Sequence, residues 1–93
     1  MADDLQQALF RVEGRVQGVG FRWWTKQQAD LLGLRGHVRN RNDRSVEVRA
    51  VGTAEALNDF ANLLSKGPPM AVVTNVSRSA SPVELFDGFA ITG

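Results

Sequence analysis

Gly14-Arg15-Val16-Gln17-Gly18-Val19-Gly20-Phe21-Arg22 places three glycines and two arginines in nine residues, and its two flanks decide the fold. On the N-terminal side, from Ala8 to Val16, Phe10, Val12 and Val16 fall on one parity and Arg11, Glu13 and Arg15 on the other. That alternation is a half-buried strand. On the C-terminal side, Phe21, Thr25, Ala29 and Leu32 recur at helical spacing and share one face. The glycines therefore occupy a strand-to-helix loop, where a backbone free of Cβ adopts positive φ or approaches a ligand closely. Such a loop aims free N–H groups outward at the positive end of the helix dipole, a setting that binds phosphate or another small anion. Arg22 adds a guanidinium that forks two hydrogen bonds onto the same oxygens.

Neither familiar nucleotide loop fits. A Walker loop needs a Lys-Ser/Thr pair after its last glycine, and a dinucleotide fingerprint needs glycine where this chain has Trp23. A ligand-free glycine turn is the bland alternative; Arg22 and the strand–helix setting favour an oxyanion cradle over it.

Outward from that loop the pattern continues. Gly33 is placed to end the first helix in a left-handed cap. Leu34 to Asn40 and Ser45 to Val51 are two short alternating strands joined by Arg41-Asn42-Asp43-Arg44, a hairpin-sized link. Gly52 breaks the second of them, and Thr53 caps a second helix with its hydroxyl. Ala56, Leu57, Phe60, Leu63 and Leu64 form its apolar stripe, and Gly67-Pro68-Pro69 ends it. Ala71 to Ser77 reads as a fourth strand, followed by a polar link through Pro82 and a last short strand around Phe89-Ala90-Ile91. The order predicts an α+β fold, the ferredoxin-like βαββαβ sandwich: an antiparallel sheet with two helices on one face and a short extra C-terminal strand. The helices then cover the even-numbered residues of the first three strands, and the other sheet face is more polar.

Ninety-three residues make a single domain spanning 1–93, with residues 1–6 a loose N-terminus. The apolar fraction of 43% and charged fraction of 23% are those of an ordinary globular protein. A formal net charge of +1 gives no general attraction to nucleic acid or membranes. The absence of cysteine excludes disulfides, thiolate metal sites and a cysteine nucleophile. The opening Met1-Ala2-Asp3-Asp4 is unlike a signal peptide, so a cytoplasmic location is expected. Asp3-Asp4 reads as a solvated terminus, with no metal site anywhere in the chain.

Taken together, Gly14 to Arg22, Gly36-His37-Val38-Arg39-Asn40, Asp43, Ser45-Val46-Glu47-Val48 and Gly67-Pro68 closely resemble the acylphosphatase family, in the right order over nearly the whole chain. The resemblance implies the sandwich fold and the hydrolysis of acyl phosphates to carboxylate and inorganic phosphate, without metal or cofactor. It makes Arg22 the phosphate-binding arginine and Asn40 the residue that orients the attacking water. Arg15, Val16, Gln17, Gly18, Val19 and Gly20 would supply backbone N–H groups to the phosphate. The implied partner is a small acyl phosphate, with phosphate or sulfate as competing anions; no nucleic acid, no membrane and a monomer are expected. Phosphate should then stabilise the fold.

The chemistry is self-consistent. An acyl phosphate is a mixed anhydride whose carboxylate leaves without a general acid. What remains is to align water in line with the leaving oxygen and to stabilise charge on the equatorial phosphoryl oxygens. Preoriented N–H groups and one guanidinium do the second, and an amide such as Asn40 does the first.

Other residues carry competing readings. Asn40 at a strand end is, by itself, a turn former, and the resemblance tips it to catalysis. His37 lies on the parity opposite to Asn40 and reads as a surface or half-buried residue rather than a catalytic one. Trp23 and Trp24 cannot both face the core, so one packs and the other is exposed or rims the site, where it would shape an acyl pocket. Glu13, Glu47 and Arg49 read as cross-strand charge partners. Arg44 stands where the family pattern has glycine after aspartate. A primed two-residue turn would force it to positive φ, and a longer loop would keep it right-handed. Two other classes compete. An RNA-binding sandwich needs aromatics on its open face, and Arg11, Glu13, Glu47 and Arg49 stand there instead. A non-catalytic anion-binding domain would share the same cradle, and turnover separates it from an enzyme.

Overall fold

The computed structural model describes residues 4–93. Part of the expected loose terminus, including Asp3, therefore lies outside the described residues. From there the chain runs β1 (Gln6–Arg15), α1 (Phe21–Leu31), β2 (Arg35–Asn40), β3 (Val46–Gly52), α2 (Ala54–Lys66), β4 (Val72–Ser81) and β5 (Phe89–Ile91). Parity decides which face is buried. Ala8, Phe10 and Val12 of β1, Val38 of β2 and Val46, Val48 and Ala50 of β3 are all buried beneath the helices. From the helices come Phe21, Thr25 and Ala29 of α1 and Leu57, Phe60 and Leu64 of α2. Phe60 packs edge-on against both Phe10 and Phe89, with centroids 5.8 and 6.2 Å apart.

The helix ends follow their local chemistry. Thr53 Oγ1 accepts from the Ala56 N–H at 3.1 Å, a cap worth about 1 kcal/mol. At the end of α1 the Leu34 N–H reaches Ala29 O and the Gly33 N–H reaches Asp30 O, with Gly33 at φ 71°. This is the paired hydrogen bonding of a Schellman cap.

The sheet order is β4-β1-β3-β2-β5, and each neighbouring pair among the first four strands is antiparallel. The short extra C-terminal strand, whose direction the sequence did not give, runs parallel to β2, from Gly36↔Phe89 to Val38↔Ile91, so the sheet as a whole is mixed. Its direction follows from its route. β4 and β5 lie on opposite edges, so residues 82–88 must cross four interstrand gaps, roughly 19 Å. Seven residues span at most roughly 25 Å, which makes the link nearly taut. It crosses the face away from the helices, where the Gln7 Nε2 donates to Glu84 at 2.7 Å and His37 meets the Phe86 ring edge-on at 5.9 Å. The polar face expected to be open is therefore partly strapped.

β4 is also longer than Ala71 to Ser77. It stays paired with β1 from Arg15↔Val72 to Gln7↔Ser81, although its second half is exposed and shows no apolar alternation. The register shifts between Glu13 and Gly14, where a bulge turns the end of β1 toward the glycine loop.

Candidate active site

The three glycines of the opening stretch do different things. Gly14, at φ 126°, belongs to the bulge; a Cβ there would lie 2.1 Å from the Val72 carbonyl oxygen. Gly18 and Gly20, at φ 74° and 77°, face open space, so their need for glycine is conformational and their outer side is clear. Val16 is buried and anchors the start of the loop. Gln17 ties the loop sideways: its Nε2 donates to the carbonyls of Arg41 at 2.9 Å and Ser45 at 3.0 Å, both in the β2–β3 hairpin. Gly20 is the N-cap of α1, and with no side chain it caps nothing; no acidic residue stands in the first turn. The N-terminal N–H groups of α1 are thus left without a side-chain cap, at the positive end of its dipole.

Arg22 stands one residue into α1, half-buried, and its Nη1 donates to the main-chain oxygen of Gly93 at 3.1 Å. Asn40 closes β2; its Oδ1 is buried and accepts no hydrogen bond from the protein. A cleft of about 170 Å³ is walled by Val16, Gly18, Gly20, Arg22, Trp23 and Asn40. The residues singled out in the sequence thus converge on one place from three elements. Arg15 and Gln17 border an adjoining cleft of about 640 Å³, with Asn40, Arg41 and Arg44.

The tryptophans divide as the helix geometry requires. Trp24 packs on Phe21 with centroids 5.5 Å apart, while Trp23 is 62% exposed on the cleft rim. His37 lies on the other sheet face, 3.2 Å from Glu47. The hairpin settles the question over Arg44 against a right-handed residue. The Arg41 N–H bonds Ser45 O, the Arg44 N–H bonds Arg41 O, and Arg44 sits at φ 72°. This is a three-residue loop whose last residue is left-handed, so lengthening the turn does not spare Arg44 the positive φ. Asp43 shapes the loop from inside. It accepts from the Ser45 N–H and hydroxyl and from Arg11, and chiefly the Ser45 hydroxyl holds its carboxyl below the ordinary range.

Behind the hairpin is a buried carboxylate whose reach exceeds the cross-strand pairing expected of it. Glu47 is 4% exposed and accepts two bonds from Arg39, at 3.1 and 3.2 Å, and one from Arg41 Nη1 at 2.6 Å. Arg49 Nε lies 3.5 Å from it, and Arg49 Nη1 turns to Glu84 at 3.0 Å. The Arg39 guanidinium, then His37, hold the Glu47 carboxyl down to about 2. Glu47 therefore grips both neighbours of Asn40 in sequence, Arg39 and Arg41. That role of Arg41, and the side-chain tie made by Gln17, are absent from the sequence reading. The Arg39↔Glu47 register is a signal that was available in the alternation; the Gln17 bonds span 24 and 28 residues and leave no local pattern.

A ferredoxin-like sandwich that sets an uncapped helix N-terminus, an arginine and an unpartnered amide oxygen around one small cleft defines a class of small phosphoryl-handling α+β proteins. Comparison with known proteins narrows it. The acylphosphatase family model matches residues 8–91. An acylphosphatase of Thermotoga petrophila is 51% identical over 81 residues, covering 87% of this chain and 90% of the relative. One from Actinobacillus pleuropneumoniae is 48% identical over 88 residues, covering 94% and 98%. The crystal structure of acylphosphatase from Bacillus subtilis superposes with a TM-score of 0.92 at 40% identity, covering 97% of this chain and all of that one. The chain belongs to the acylphosphatase family.

Proposed function

We propose that this acylphosphatase hydrolyses acyl phosphates by direct, in-line attack of water at phosphorus, with Arg22 and Asn40 in the two principal roles. The phosphoryl oxygens lie against the N–H groups of the loop from Arg15 to Gly20 and the first turn of α1. Arg22 turns its fork from the Gly93 oxygen onto the substrate. Charge developing on the equatorial oxygens meets donors already oriented before the substrate arrives. Asn40 Oδ1 accepts one hydrogen of the attacking water, which fixes the direction of its lone pair. The new P–O bond forms as the bond to the acyl oxygen breaks. The electron pair leaves on a carboxylate, and the water's proton stays with the phosphate product.

The observation that carries this reading is the Asn40 oxygen: a buried acceptor with no protein donor, in the same cleft as Arg22 and the uncapped helix end. His37 stands on the opposite sheet face and is engaged with Glu47, which supports water rather than a phosphohistidine as the immediate step. We extend the proposal to a cytoplasmic monomer in which residues 1–93 work as one unit, on the strength of the cysteine-free composition and modest net charge. Among the described residues no helix is long and apolar enough to cross a membrane. Hydrolysis of benzoyl phosphate in ¹⁸O-water tests the chemistry. The expected label is in inorganic phosphate alone; label in benzoate would mean attack at the carbonyl carbon and would overturn the mechanism.

A further inference from the structure

The Asn40 amide oxygen has no protein donor to aim it. Its direction is set by the backbone that carries it, at the last residue of β2. That backbone is held on both sides of Asn40 by one group. Arg39 donates to the buried Glu47 carboxylate through Nε and Nη2, and Arg41 donates to it through Nη1 at 2.6 Å. In the register Asn40 stands opposite Val46, whose side chain is buried beneath the helices, so Glu47 acts from the other face of the sheet. The grip on Arg41 reaches further than the strand. The Arg41 N–H bonds Ser45 O at 2.9 Å, and the Arg41 carbonyl accepts from Gln17 Nε2 at 2.9 Å. The residue that Glu47 holds is therefore the one at which the hairpin meets the glycine loop. Bonds to a buried, ionised acceptor are strong and short, and little water competes for them.

We propose that Glu47 is a positioning residue for hydrolysis: through Arg39 and Arg41 it fixes the end of β2, so that Asn40 Oδ1 stands at a set place relative to the phosphate cradle. It touches neither substrate nor water. The inference rests on the hydrolytic reading above and adds to it a residue that works from the back of the sheet. Alignment is lost steeply with distance, since about 1 Å of misplacement costs about 100-fold in rate. A strand end released on one face shifts by part of that. The loss falls on kcat, because the glycine loop and Arg22, which Glu47 does not touch, still hold the phosphate.

Hydrolysis of benzoyl phosphate at pH 7 tests it, with Glu47→Gln placed in the natural chain and in Asn40→Ala, each checked for folding by circular dichroism. In the natural chain Glu47→Gln should lower kcat about tenfold and leave the inhibition constant of phosphate within about twofold. In the Asn40→Ala background it should change kcat no further, because the amide it positions is gone. Arg41→Gln cuts the same tie at a partly exposed side chain, with less risk to folding, and should show the same dependence on Asn40. Glu84→Gln removes the Arg49–Glu84 pair from the same network without reaching either neighbour of Asn40. It should lower the urea midpoint and leave kcat unchanged. A loss of kcat that persists in Asn40→Ala, or an equal loss in Glu84→Gln, would mean general loosening and would overturn the inference. Unchanged kcat in the folded Glu47 and Arg41 variants would overturn it as well. Asn40→Ala turning over at the natural rate would instead overturn the hydrolytic reading on which it rests.

Discussion

At position 22 the shape of the cation matters as much as its charge. Arg22 sits in the first turn of α1, and in the proposed mechanism its planar fork spans two oxygens of one phosphoryl group. An ammonium in its place keeps the attraction and loses the second bond and the alignment. Arg22→Lys should therefore raise KM and the inhibition constant of phosphate several-fold and lower kcat/KM by about 100-fold, read from steady-state kinetics. That Arg22 and Asn40 would meet at one cleft was legible in the sequence, the first from its place after a glycine loop, the second from strand parity together with the family resemblance. Gln17 was legible only as a loop residue. Its side chain acts through carbonyls in the hairpin, and no local periodicity encodes a partner so distant. Arg44 was open between two conformations because loop length does not by itself determine the sign of φ at its last residue.

Among the elements, Gly36 in β2 has a role that differs from that of the glycines in the loop. A Cβ on Gly36 would lie 1.8 Å from the Arg49 carbonyl oxygen, where β2 and β3 approach, whereas one on Gly20 meets nothing within 4 Å. Both have positive φ, so alanine is strained at each, and Gly36 adds a collision with backbone that cannot move alone. Gly20→Ala should cost about 1–2 kcal/mol and leave a folded protein. Gly36→Ala should cost more than about 3 kcal/mol, with urea unfolding as the measurement for both. In the sequence Gly36 is merely an even-parity residue of a strand; the close approach is a property of the pair. The strand order and both helices were legible because each has its own period and punctuation. The direction of β5 and the full length of β4 were not. The first depends on a link that crosses the sheet, and the second on pairing with β1 by a segment that buries little of its own surface.

Across the whole molecule, one carboxylate joins the polar face to the edge that carries the two clefts. Glu47 is held ionised by Arg39, His37 and Arg49 and grips Arg41, while Arg49 continues to Glu84 in the crossing segment. Its folded carboxyl titrates at about 2, below the ordinary value of 4.5. The stability it contributes is therefore fully present above about pH 5 and is lost as pH falls through 4.5 toward 2. Glu47→Gln should destabilise the protein at pH 7 by about 2–3 kcal/mol. That is less than for a fully buried pair, because the arginines are partly exposed. The gap from the natural chain should close as the pH approaches 2, measured by urea unfolding across that range.

The central claim is that a glycine-loop anion cradle with Arg22 and an aligned water at Asn40 suffice for acyl phosphate hydrolysis. The most direct measurement is steady-state turnover of benzoyl phosphate with chelator present, by the natural chain, Arg22→Ala and Asn40→Ala, each checked for folding. Each variant should lose a factor of about 10²–10³ in kcat/KM. Arg22→Ala should weaken inhibition by phosphate, and Asn40→Ala should leave that inhibition constant unchanged because it loses the water and not the anion. Undiminished turnover in either folded variant would contradict the account.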